Sequence, residues 1–103
     1  MLRSFRDKDT EAIWQRQRSQ KLDTTTQRAA WRKLAILDAA ETLGDLRVSP
    51  GNRLEKLAGN RAGQYSIRIN RQWRICFRWS EAGPEDVEIV DYHLGGARWR
   101  LRR

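Results

Sequence analysis

Gly63-Gln64-Tyr65-Ser66-Ile67-Arg68-Ile69 and Trp73-Arg74-Ile75-Cys76-Phe77-Arg78-Trp79 are the two stretches that decide the fold. In the first, Tyr65, Ile67 and Ile69 alternate with Gln64, Ser66 and Arg68. In the second, Trp73, Ile75, Phe77 and Trp79 alternate with Arg74, Cys76 and Arg78. A period of two is that of a half-buried β-strand. A tight turn at Asn70-Arg71 makes the pair a hairpin, and after an Ala82-Gly83-Pro84 turn Val87 to Tyr92 reads as a final strand. The aromatic and aliphatic set then shares one face, with Arg68, Arg74 and Arg78 on the other.

Working back toward the N-terminus, Arg53 to Leu57 reads as a short strand, followed by a loop from Gly59 to Gly63, and 47–52 as a turn-rich connection. Before it the period lengthens. Ala30, Leu34, Leu37 and Ala40 fall at i, i+4, i+7 and i+10, one face of a helix that ends near Leu43-Gly44. Thr24 and Gln27 have capping-box spacing at its start. An earlier helix, capped by Asp7 or Asp9, is expected from about Thr10 to Gln20 with Ile13 as its core contact. Its second half is wholly polar. Leu2 to Arg6 completes the outline as a short first strand anchored by Phe5. The fold class is therefore α+β, with two N-terminal helices packed on one face of an antiparallel β-sheet.

The chain has 103 residues, 39% hydrophobic and 33% charged, which suits one globular domain with one modest core. No apolar run reaches the roughly 18 residues of a membrane span, and Met1 to Phe5 lacks the apolar core of a secretory signal. The expected location is cytoplasmic, with no membrane partner. Cys76, the single cysteine, sits between Ile75 and Phe77 and is expected to be buried and inert.

The formal net charge is +8, with arginine far outnumbering lysine. Guanidinium groups offer a fixed fork of donors that suits phosphate, so nucleic acid is the favoured partner. The arginine face of the sheet would give a phosphate backbone a shallow trough. It would equally serve as the solvated side of an antiparallel sheet. Arg98, Arg100, Arg102 and Arg103 carry half the net charge in a segment after Gly95-Gly96. This segment reads as an RNA-gripping arm, a short edge strand or a frayed tail.

The sequence holds no Cys/His metal constellation and no phosphate-binding glycine loop, so no metal or cofactor is expected. RNA carries its own nucleophile in the 2′-OH. Cleaving it needs a base, an acid and cations around the phosphorane. His93 can fill either proton role, and it directly follows Asp91 and Tyr92.

The segments Gly51-Asn52-Arg53-Leu54-Glu55-Lys56-Leu57-Ala58-Gly59, Gly63 to Ile69, Trp73 to Trp79 and Val87-Glu88-Ile89-Val90-Asp91-Tyr92-His93, in this order and spacing, resemble the HigB-type toxins of the RelE/ParE superfamily. Arg3-Ser4-Phe5-Arg6 and the Lys33 to Ala40 helix are similar too. The resemblance covers residues 1–93 as a toxin domain and leaves 94–103 as a basic extension. It implies a compact RelE-like fold and metal-independent, ribosome-dependent cleavage of mRNA. It also implies a cognate helix-turn-helix antitoxin, HigA-like, with operator DNA bound only through the toxin–antitoxin complex. The matching catalytic positions are Asp91, Tyr92, His93 and Arg74, with Arg53, Lys56, Arg68, Arg71 and Arg78 as RNA-binding cations.

Some relatives carry a histidine where this chain has Glu55, so a carboxylate, Lys56 or a ribosomal group would share the proton work. Two other readings compete. ParE-like toxins share the fold and poison DNA gyrase, but generally lack the Tyr-His pair. A non-catalytic RNA- or DNA-binding module would bind without cleaving and ignore substitution of His93.

Overall fold

Asp23 starts the longest helix. Its carboxylate accepts the amide of Thr26 at 2.7 Å, so the cap lies one residue before the predicted Thr24–Gln27 box. Helix α2 (Thr24–Ala39) then buries Ala30, Leu34 and Leu37 on one face, as its periodicity requires. It ends four residues earlier than expected, because Thr42 and Asp45 form a capping box of their own and start a separate 3-10 turn, Leu43–Leu46. The computed structural model describes residues 1–91.

Four antiparallel strands follow in sequence order, β1 (Glu55–Lys56), β2 (Gln64–Arg68), β3 (Trp73–Ser80) and β4 (Gly83–Asp91). Tyr65 opposes Phe77, Ile67 opposes Ile75, and Ile75 opposes Ile89, so one face is continuously apolar across the sheet. Ile67, Ile75, Phe77, Val87 and Ile89 are fully buried there with Ile13, Leu34 and Leu37 of the helices. Each such side chain contributes about 1.5–3 kcal/mol by leaving water. The opposite face carries a smaller apolar cluster of Leu57, Cys76 and Val90, with the Cys76 thiol buried as expected.

Strand β4 is longer than the Val87–Tyr92 reading. Cys76 opposes Glu88 but Arg78 opposes Glu85, so β4 holds one residue more than β3 across this step. Asp86, with φ of 53°, absorbs that residue in a bulge. Pairing then continues down to Gly83, through a Gly-Pro-Glu-Asp stretch that looks like a turn in sequence. At Gly83 φ is 127°, and a Cβ would lie 2.5 Å from the Met1 carbonyl oxygen, so a side chain there is excluded twice.

The N-terminal segment covers the outer edge of β4. Phe5 forms a parallel bridge with Val87, and the Ser4 hydroxyl accepts the Asp86 amide at the bulge at 2.9 Å. Helix α1 (Lys8–Trp14) is shorter than predicted and has no side-chain cap. It is anchored by Ile13 and by Thr10, whose buried hydroxyl accepts the Ile89 amide at 3.0 Å. The polar residues expected to extend this helix instead form a connector held by hydrogen bonds. Gln27 of α2 accepts the Ser19 amide and donates to the Gln17 carbonyl. Lys21 reaches the Ile89 carbonyl at 2.7 Å, and Leu22 is buried.

The 3-10 turn Pro50–Asn52 joins the helical half to the sheet, and Asn52 is its anchor. The buried Asn52 side chain donates to the Leu46 carbonyl at 3.1 Å and accepts from Lys33 Nζ at 2.8 Å. Burial, and to a lesser degree the nearby Arg68, lowers the Lys33 pKa.

Two stability outcomes follow from these contacts. Asn52→Ala strands a buried carbonyl and an ammonium, and should cost about 2–3 kcal/mol in urea unfolding. The amides of Glu41 and Thr42, with the Thr42 hydroxyl, hold the Asp45 carboxyl below its ordinary 3.8. Its stabilising contribution is complete above that pH and fades as pH falls through the lower folded value. Asp45→Asn should therefore be less stable than the parent at pH 7, with the difference closing toward pH 3.

Candidate nucleic-acid cleft

Arg53, Arg68, Arg71 and Arg74 line one cleft of about 420 Å³, together with Leu54, Glu55 and Asn70. The four cations come from different elements. Arg53 follows the Pro50–Asn52 turn, Arg68 ends β2, Arg71 lies in the β2–β3 turn and Arg74 is in β3. Register brings Arg68 and Arg74 side by side, since they are opposed across the hairpin. Like charges so placed repel. Each is held by acceptors aimed at it.

Arg74 sits deepest, at 4% exposure. Its Nε donates to Ser66 Oγ at 2.8 Å, and its Nη2 donates to the Arg53 carbonyl at 2.6 Å and to the Ser66 carbonyl at 3.3 Å. Arg53 holds φ of 46° and ψ of 55°, the left-handed region, and in that conformation its carbonyl serves the Arg74 guanidinium. Left-handed backbone costs a non-glycine residue about 1–2 kcal/mol. Arg68 Nε donates to the Asn70 carbonyl, while the Asn70 side chain accepts the amides of Gln72 and Trp73 and fixes the turn. The floor and the rim are thus pre-ordered around fixed positive charge.

Not every predicted cation joins them. Lys56 opposes Tyr65, so pleating sends it to the other face of β1 from Glu55. Arg78 lies toward the far end of β3 and pairs with Asp86 at 3.5 Å. Arg61 comes over the outer face to pair with Glu88 at 3.2 Å. The arginine face expected from alternation is therefore split. Its middle is neutralised by ion pairs, and its positive charge is concentrated at one end.

That end is where the described part of β4 stops. Asp91 opposes Trp73, adjacent to Arg74, and its carboxylate accepts Gln72 Nε2 at 3.0 Å. Tyr92, His93 and the 94–103 extension lie outside the described residues. Glu55, opposite Ser66, is the carboxylate in the cleft lining. Alternation alone pointed to neither Ser66 nor Asn70. The role of Ser66 depends on β1–β2–β3 register, and that of Asn70 on turn geometry.

A model of the family described as RelE-like toxin of type II toxin-antitoxin system HigB matches residues 3–93. Toxin HigB-1 of Vibrio cholerae serotype O1 is 44% identical over 80 residues, 77% of this chain and 84% of that protein. An uncharacterized protein of Haemophilus influenzae is 36% identical over 70 residues, 68% of this chain and 64% of that one. Endoribonuclease HigB of Proteus vulgaris is 31% identical over 61 residues, 59% of this chain and 65% of that protein. Two helices against one face of a four-stranded antiparallel sheet, and a family match spanning nearly the whole chain, place it plainly: it belongs to the HigB-like toxins, the RelE-like toxins of type II toxin–antitoxin systems.

Proposed function

We propose that this chain is an endoribonuclease that cuts mRNA in the ribosomal decoding site and is silenced by a helix-turn-helix antitoxin of the HigA type. The observation that carries this reading is the convergence of Arg53, Arg68, Arg71 and Arg74 in one cleft beside Asp91, two residues before His93. The name of the Proteus vulgaris relative agrees with it.

In this reading the RNA 2′-oxygen attacks the adjacent phosphorus, the P–O5′ bond breaks, and a 2′,3′-cyclic phosphate and a 5′-OH result. One group takes the 2′ proton and another gives a proton to the leaving 5′ oxygen. His93 takes one of these roles. Glu55, the carboxylate lining the same cleft, is placed for the other. Arg74 supplies positive charge to the phosphorane. Because Ser66 and the Arg53 carbonyl already hold its guanidinium, little reorganisation accompanies the reaction. Arg53, Arg68 and Arg71 grip the flanking phosphates, while Asp91 and Tyr92 orient His93. Cytoplasmic action follows, since ribosomes are the site of cleavage.

Mapping 5′ ends of a defined mRNA on stalled ribosomes tests this. Cuts at decoding-site codons, lost in His93→Ala and absent without ribosomes, are expected. Full activity in that variant removes His93 from the mechanism. DNA breakage with purified gyrase, and no RNA cuts, would replace the reading with gyrase poisoning. Arg53→Gly separates backbone from charge. Relief of about 1–2 kcal/mol of left-handed strain, less the roughly 0.5–1 kcal/mol that glycine loses in chain freedom, should leave it at least as stable as the parent in urea unfolding. It should still weaken RNA binding and lower the salt slope by about one.

A further inference from the structure

A second arginine-lined hollow lies between the connector and α2. It measures about 430 Å³ and is bounded by Ile13, Arg16, Arg18, Gln27, Trp31 and Arg32, with Thr24 and Arg28 completing it. It shares no lining residue with the RNA cleft. Its centre is Trp31, stacked on Trp14 with ring centroids 5.6 Å apart and tied to the Trp14 carbonyl through its indole N–H at 3.1 Å. The Arg16 guanidinium stands 3.9 Å from the Trp31 ring centre, with Arg16 in left-handed backbone at φ of 64°.

All four arginines are exposed. Among the described residues, Arg16, Arg28 and Arg32 form no ion pair with a carboxylate, and Arg18 acts on Asp23 only as a neighbouring charge. Hydrogen bonds, rather than ion pairs, hold the wall. Arg18 Nη1 donates to Gln27 Oε1 at 2.9 Å, to the Leu22 carbonyl at 2.7 Å and to the Ser19 carbonyl, and Gln27 ties down both Gln17 and Ser19. Three guanidinium groups, Arg16, Arg28 and Arg32, with no carboxylate partner among the described residues, stand around an indole and make a pre-formed anion receptor, of the Trp- and Arg-rich kind that dominates protein interfaces.

We propose that this hollow docks an acidic segment of the antitoxin, its carboxylates on Arg16, Arg28 and Arg32 and one apolar side chain against the edge of Trp31. Charge complementarity selects an acidic occupant. The ring geometry selects peptide over RNA, because a nucleobase platform needs an open aromatic face and Trp31 is already engaged by Trp14 and Arg16. The inference rests on the toxin–antitoxin reading but not on RNA cleavage. The antitoxin held here would leave the Arg53–Arg74 cleft uncovered by this contact.

Calorimetric titration of the full-length chain with its cognate antitoxin tests the assignment. Arg16→Glu/Arg28→Glu/Arg32→Glu should weaken binding by about 100-fold and flatten its salt dependence. The corresponding triple Lys variant should stay within about tenfold of the parent, and Arg28→Glu alone, at an exposed helix position, gives a milder loss that does not endanger folding. Ribosome-dependent cleavage should be unchanged in these variants, and Arg53→Gly/Arg71→Ala should bind antitoxin normally. Antitoxin affinity within about threefold of the parent in the triple Glu variant overturns the proposal. So does retained antitoxin binding with lost ribosome association, which would make the hollow an RNA contact. The titration reads the docking site even if the parent chain cleaves no RNA.

Discussion

Strict alternation along β3 is the constraint on which both halves of this molecule depend. Ile75 and Phe77 must lie under the helices, and that requirement sends Arg74 and Cys76 to the opposite face. A slip of one residue would bury two arginines under α2 and expose the core. The register is therefore set by hydrophobic burial, and the site inherits it. Arg74 meets Ser66 because Ile75 meets Ile67. The positioning of a charged site by apolar packing also explains its rigidity, since the cleft floor cannot move without disturbing the core.

The edges of the sheet needed a different solution. A β4 edge left open would expose a row of unpaired amides and carbonyls. Here short polar contacts close it, with Phe5 bridging Val87, Thr10 accepting the Ile89 amide and Lys21 donating to the Ile89 carbonyl. The same contacts pull the N-terminal segment and the connector onto the domain. A seven-residue helix with little apolar surface would not hold there on packing alone. The connector is consequently shaped by hydrogen bonding, and its outward side is left to arginines.

Much of this was legible in the sequence, and the remainder was hidden for identifiable reasons. The α2 face and the β2–β3 hairpin follow from periodicity, because burial of one face writes itself into the order of residues. The buried thiol was read instead from its neighbours Ile75 and Phe77, and it lies on the face opposite the main core, with Leu57 and Val90. The length of α1 did not, since Arg16 to Lys21 is as compatible with a solvated helix as with a hydrogen-bonded connector. The start of β4 was masked by Pro84 and the Asp86 bulge, whose one extra residue breaks the alternation that marks a strand. In the cleft, Arg53, Arg68, Arg71 and Arg74 were all named from sequence, but the departure of Lys56 and Arg78 was not. Pleating turned Lys56 away, and a partner, Asp86, made available by the bulge, drew Arg78 off.

Helix α2 explains how one small chain keeps two cationic regions apart. Its inner face, Ala30, Leu34 and Leu37, is committed to the core. Arg28, Trp31 and Arg32 project to the hollow beside the connector, whereas Lys33 reaches Asn52 behind the Arg53 turn. Arg68, which lines the cleft, adds to burial in lowering the Lys33 pKa. The two arginine clusters share no lining residue, so the proposed RNA contact and the proposed antitoxin contact draw on different cations. Gathering cations of a +8 chain on the two sides of α2 makes each hollow positive while the intervening core stays apolar.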